Sequence, residues 1–195
     1  MLAFIVVIIT LVAVKKPENL SGPKQPAEFI VYIDWPVDID ADVDLWEKTP
    51  SGKMLFYSDR EVGCSVLDRD SRGFLDSVIT LSDGSKVKVD SYRETVSIRC
   101  LEFGHYDFGI HLYDMRIDGQ TVPLARNDLG LKVHVEVMRI NPRVETLYAS
   151  DVVLNRRWDT VNWVSFDMAK DGSIKLVDAP LEPITAETYK NRTVQ

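Results

Sequence analysis

Apolar and polar side chains alternate most cleanly in Leu131-Lys132-Val133-His134-Val135-Glu136-Val137, where every odd position is apolar and every even one polar. Successive side chains of an extended backbone point to opposite faces, so this stretch predicts a strand with one packed face and one wet face. His134 then falls on the wet face. The same strand character, β-branched and aromatic, marks Phe29-Ile30-Val31-Tyr32-Ile33, and Val43-Asp44-Leu45-Trp46 alternates again. Turn signals separate further runs. Thr49-Pro50-Ser51-Gly52 leads into Lys53-Met54-Leu55-Phe56-Tyr57, and Ser82-Asp83-Gly84-Ser85 lies between 78–81 and 86–89. Turns at 102–105, 141–143 and 169–172 likewise separate 95–101 from 106–113, 131–140 from 144–154, and 162–168 from 173–177. Short strands at this spacing predict an all-β fold, an antiparallel β-sandwich of immunoglobulin-like or jelly-roll-like kind, over residues 27–178. No helical period is visible inside that span. Trp35, Trp46, Trp158 and Trp163 are expected in the sandwich core or at its rim.

Residues 1–14, MLAFIVVIITLVAV, carry no charge and one polar side chain. As a helix they reach about 21 Å at ~1.5 Å per residue, short of the ~30 Å hydrocarbon core. Snorkelling of Lys15 and Lys16 narrows the gap. We read the segment as one N-terminal transmembrane helix, an uncleaved anchor, against two alternatives: a cleaved signal peptide and a buried element. Val12-Ala13-Val14 is a poor cleavage site, and no Lys or Arg precedes the apolar run. Residues 15–26, with three prolines, read as a semi-extended linker. The expected location is the inner membrane, single-pass, with the body periplasmic or extracellular. Residues 179–195, containing Pro180 and Pro183, are expected to fray as a C-terminal tail.

The formal charge of −7 over 195 residues argues against nucleic acid as a partner, because phosphate neutralisation needs clustered basic side chains and the arginines here are scattered. Cys64 and Cys100 form an even pair. They either join as a disulfide in an oxidising compartment or stand apart as small apolar side chains, and the sequence leaves both open. No CxxC spacing supports a metal thiolate.

Candidate chemistry concentrates in Asp38-Ile39-Asp40-Ala41-Asp42-Val43-Asp44, with a carboxylate at every second position. Like charges on one face of a strand repel, so the run is expected to bend into a loop, hold a hard cation, or both. The candidate calcium ligands are Asp38, Asp40, Asp42 and Asp44, with Asp68 or Asp70 of Leu67-Asp68-Arg69-Asp70 as distal contributors. The alternative is that these aspartates are solvated or paired with Arg60, Arg69 and Arg72. The pattern is not an EF-hand loop, lacking glycine at the sixth position and glutamate at the twelfth. His105 and His111, about 20 Å apart in an extended strand, do not share a metal.

Asp42-Val43-Asp44-Leu45, followed by Pro50-Ser51-Gly52, Tyr57-Ser58-Asp59-Arg60 and Leu67-Asp68-Arg69-Asp70, resembles the D-V-D-L … P-x-G … Y-x-x-R … L-x-R-D series of bacterial β-sandwich modules. These are the YfaP-like envelope proteins and, more loosely, pre-peptidase C-terminal domains. Gly104-His105-Tyr106 is similar to their P-G-x-Y element, with Phe103 where proline is usual. The resemblance covers residues 29–113. It implies an extracytoplasmic accessory or binding module with no catalytic residues to carry over.

No Gly-x-Ser-x-Gly or His-Glu-x-x-His stands in the chain, and no carboxylate pair is singled out for hydrolysis. The expected function is therefore that of a membrane-anchored, non-catalytic binding module of the cell envelope, taking a protein or envelope-component partner through loops 36–44 and 58–76. Two other readings are a component of a phage or secretion assembly or lysis apparatus and a carboxylate-dependent hydrolase.

Overall fold

A computed structural model describes residues 26–185. The proposed anchor over 1–14 and the linker up to residue 25 lie outside the described residues. Among those described, no helix is long and apolar enough to cross a membrane.

Fourteen antiparallel strands and one 3-10 turn make up the described body. They are β1 (Phe29–Pro36), β2 (Asp40–Lys48), β3 (Met54–Leu55), β4 (Glu61–Val62), β5 (Ser65–Arg69), the turn η1 (Gly73–Asp76), β6 (Val78–Thr80) and β7 (Lys86–Lys88), then β8 (Ser91–Ile98), β9 (Gly104–Ile117), β10 (Gln120–Thr121), β11 (Leu131–Arg139), β12 (Glu145–Leu154), β13 (Thr160–Met168) and β14 (Ile174–Val177). The first sheet runs β12-β11-β1-β8-β5-β4. The second runs β14-β13-β9-β2-β3, with β10 beside β9, and β6 and β7 form a separate hairpin.

Alternation assigns the inner faces. Phe29, Val31, Ile33 and Trp35 of β1, and Leu131, Val133, Val135 and Val137 of β11, are buried in one cluster with Val43 and Leu45 of β2 and Phe108 and Ile110 of β9. Two sheets thus share a single apolar core in a sandwich-like arrangement, held mainly by removal of that surface from water. His134 is half-exposed and bonds Asp151, as its polar register requires.

Local hairpins follow the turn signals: β2 pairs β3, β6 pairs β7, β11 pairs β12, and β13 pairs β14. Residues 102–105 behave differently. They carry the chain from β8 in one sheet to β9 in the other, because β8 is paired on both sides, by β1 and β5. The connection after Tyr57 also holds more order than its composition suggests, since it contains β4 and β5. Cys64 and Cys100 are joined by a disulfide with a Cα–Cα distance of 5.2 Å, beside the Arg99 N–H to Cys64 carbonyl bond.

The C-terminal segment expected to fray is held as far as Ile184. Asn162 donates to the Pro180 and Glu182 carbonyls and accepts from the Ile184 N–H. Ile184 then covers Trp46 on the outer face of the second sheet, with Met54, Phe56 and Trp158 around it.

Register also orders the ends of the body. Phe29 faces Ile98 and Pro36 faces Ser91, so the chain enters at one end and the β6–β7 arm springs from the other, about 23 Å away along β1 at ~3.3 Å per residue.

Candidate functional site

In β2 the residues Ala41, Val43, Leu45 and Glu47 share the core face, which places Asp42, Asp44 and Trp46 on the other. β2 pairs with β9 along its length, but β3 meets it only at Glu47 and Lys48. From Asp40 to Trp46 the far edge of β2 is therefore open. Glu94 closes it: this core-facing residue of β8 accepts the Leu45 N–H at 2.6 Å and the Ser71 N–H at 3.3 Å. The loop after β5 follows, with the Phe74 N–H donating to Asp40 at 3.4 Å and Gly73 pressed against the Ala41 carbonyl.

This closure brings Asp44, Asp70 and Glu94 together. One carboxylate oxygen from each lies within 4.8 Å of the others. They adjoin a pocket of about 210 Å³ lined by Asp42, Asp44, Tyr57, Asp70, Arg72 and Tyr113. Asp44 and Glu94 are buried, at 6% and 1% exposure, and Asp44 Oδ2 has no hydrogen-bond partner among the described residues. Of the nearby cations, Arg60 pairs with Asp70 at 3.8 Å, as the paired alternative expects, while Arg72 pairs with Asp76, and Arg116 and Arg157 bind Asp114.

Electrostatics follow from that geometry. Burial, then the neighbouring Asp42 and Asp70, holds the Asp44 carboxyl well above its usual range. Glu94 is raised by burial and by Asp44, against the opposing Leu45 N–H. Asp42 is pushed up to about 6 by burial, then by Asp70 and Asp114. A three-carboxylate, oxygen-only cluster of this kind suits a hard cation.

Of the six aspartates singled out from the sequence, the fold unites Asp44 and Asp70 and sets Asp42 on the pocket wall. Asp38 is exposed in the β1–β2 turn, Asp40 lies 3.9 Å from Arg116, and Asp68 pairs with Arg99. Glu94 is the member that the sequence reading missed. Its signal was there: Tyr92, Glu94, Val96 and Ile98 occupy one register, and a carboxylate stands where the pattern calls for an apolar side chain. Glu47 breaks register in the same way. It is fully buried, accepts from Ser65 at 2.6 Å, and is raised by burial to about 8.

The histidines serve other ends. His111 is buried, stacks on Trp46 at 4.6 Å and bonds Thr160; burial lowers it to about 4. His105 bridges Asp167 and Asp107, with the Asp167 bond the largest cause of its raised pKa.

No family model matches the chain, and no curated protein matches it. Among solved structures it is similar to the crystal structure of SAV2460, a protein of unknown function, at 15% identity and a TM-score of 0.47, over 77% of this chain and 86% of that one.

Proposed function

We propose that this chain is a membrane-tethered, extracytoplasmic binding module of the cell envelope that does no catalysis, in keeping with its resemblance to YfaP-like sandwiches. The observation that carries the reading is the opposition of two ends. The chain enters beside Ile98, whereas the remote end presents Phe74 and Leu75 of η1, and Val78, Ile79, Leu81 and Val87 of the two-stranded arm that follows, as exposed apolar side chains. Exposed apolar side chains in that number suit a protein partner more than solvent. Recognition loops on a rigid sheet scaffold are the common arrangement for binding modules. The Cys64–Cys100 bridge supports an oxidising compartment.

Two experiments test it with the full chain in membranes. Alkaline phosphatase fused after Gln195 is expected to be active; activity only from a cytoplasmic reporter reverses the orientation. Photo-cross-linkers at position 79 on the arm are expected to give adducts that position 144, exposed at the opposite end, does not give. Equal adducts from both positions overturn the assignment of the arm as the contact.

A further inference from the structure

We propose that Asp44, Asp70 and Glu94 bind one hard divalent cation, calcium by the number and kind of its ligands, and that the ion fixes the loop 70–76 onto the open edge of β2 and so sets the arm that follows it. The site stands on its own geometry; only its consequence for the arm rests on the binding reading above.

The three ligands come from three parts of the fold: β2 of one sheet, β8 of the other, and the loop after β5. Their selected oxygens span at most 4.8 Å. Oxygens that close together can share one ion, and three protein carboxylates suit calcium, which takes caged oxygen sets, more than magnesium, which is usually held by one or two carboxylates and keeps its waters. No His or Cys joins the cluster, which disfavours softer metals. Asp44 supplies the observation that a mere acidic cluster lacks. It is buried, lines the pocket, and presents Oδ2 with no partner among the described residues, a costly state for a carboxylate unless something binds it. The pocket leaves room for water ligands, which complete the six to eight oxygens calcium takes. Asp42 adds a fourth carboxylate on the pocket wall. Arg72, the cation on that wall, is exposed and committed to Asp76.

Coupling to the loop follows from connectivity. Asp70 is one residue from Ser71, whose N–H binds Glu94, and three from Gly73, which rests on Ala41. Holding Asp70 therefore holds the segment that runs through η1 into β6.

The full chain in detergent micelles at neutral pH is titrated with terbium, a luminescent stand-in for calcium excited through nearby Tyr57 and Tyr113. Saturable emission that calcium displaces is expected, with a melting temperature raised by several degrees in millimolar calcium. Hydrogen exchange across 70–76 is expected to slow on calcium addition. Asp44→Asn and Glu94→Gln each weaken binding at least tenfold, while Asp38→Asn leaves it unchanged. If the well-folded wild-type chain shows neither emission nor a melting shift, the site does not exist. Emission that survives Asp44→Asn and Glu94→Gln but is lost in Asp38→Asn moves the ion to the β1–β2 turn and overturns the assignment. Calcium binding without slower exchange at 70–76 removes the coupling. None of these readouts depends on a partner, so the site and the contact assignment fail independently.

Discussion

Ile184 lies directly over Gly109, so close that a Cβ at position 109 would stand 2.9 Å from its Cγ1 and 3.1 Å from Asn162 Oδ1. Glycine in the middle of β9 makes room for the C-terminal segment. Gly109→Ala is expected to push Ile184 off Trp46 at a cost of about 1–3 kcal/mol. Denaturant unfolding gives the cost, and faster proteolysis near residue 180 reports the release. Unchanged stability and cleavage would show that the segment contributes nothing there.

The disulfide closes a loop of sequence separation 36. Chain entropy assigns such a crosslink about 4 kcal/mol, with measured bridges commonly at 2–4 kcal/mol. The double variant Cys64→Ala, Cys100→Ala is expected to lose that much in urea unfolding. Its far-ultraviolet dichroism should stay that of a sheet protein, since β5 and β8 remain paired through their ladder.

Glu47 offers a pH test with a definite sign. Burial raises its carboxyl to about 8, above an unfolded value near ~4.3. The folded state therefore holds a proton that the unfolded state releases, and the stability linked to it is complete below about pH 4 and lost as pH rises through about 8. Glu47→Gln mimics the protonated form. The stability difference between variant and wild type should be small at pH 5 and favour the variant by about 1–3 kcal/mol at pH 8.5. Taking the difference between the two proteins cancels the opposite contribution of His111, which burial keeps neutral. A difference that does not change with pH would mean that Glu47 is ionised in its buried position.

Gly73 and Gly84 form a matched pair. Both have positive φ, +62° and +83°, but a Cβ at 73 would lie 2.6 Å from the Ala41 carbonyl oxygen while one at 84 meets nothing within 4 Å. Gly84→Ala is expected to cost only the ~1 kcal/mol of left-handed backbone. Gly73→Ala should cost about 1–3 kcal/mol more and speed hydrogen exchange in 70–76 ahead of the sheets. Equal costs would show that the loop does not rest on β2.

Alternation and turn chemistry are local, and what they imply was legible in the sequence: an all-β antiparallel body, the inner face of β11, and the hairpins β2–β3, β6–β7, β11–β12 and β13–β14. Each of those hairpins pairs residues a few positions either side of a Gly, Pro or Asp turn, so nothing distant is needed to specify it. Long-range choices were not legible. That β1 lies between β8 and β11, that residues 102–105 change sheets, and that Cys64 meets Cys100 depend on which strands compete for which edge. The acidic site divides the same way. The aspartates were visible as a run, but period-two spacing only says that they share a side. Selecting Asp44 and Asp70 from among them, and adding Glu94, took the open edge of β2, where Leu45 meets a carboxylate 49 residues away. A strand's own pattern states which of its faces is buried; which foreign side chain caps its unpaired backbone is settled only when the two sheets close on each other.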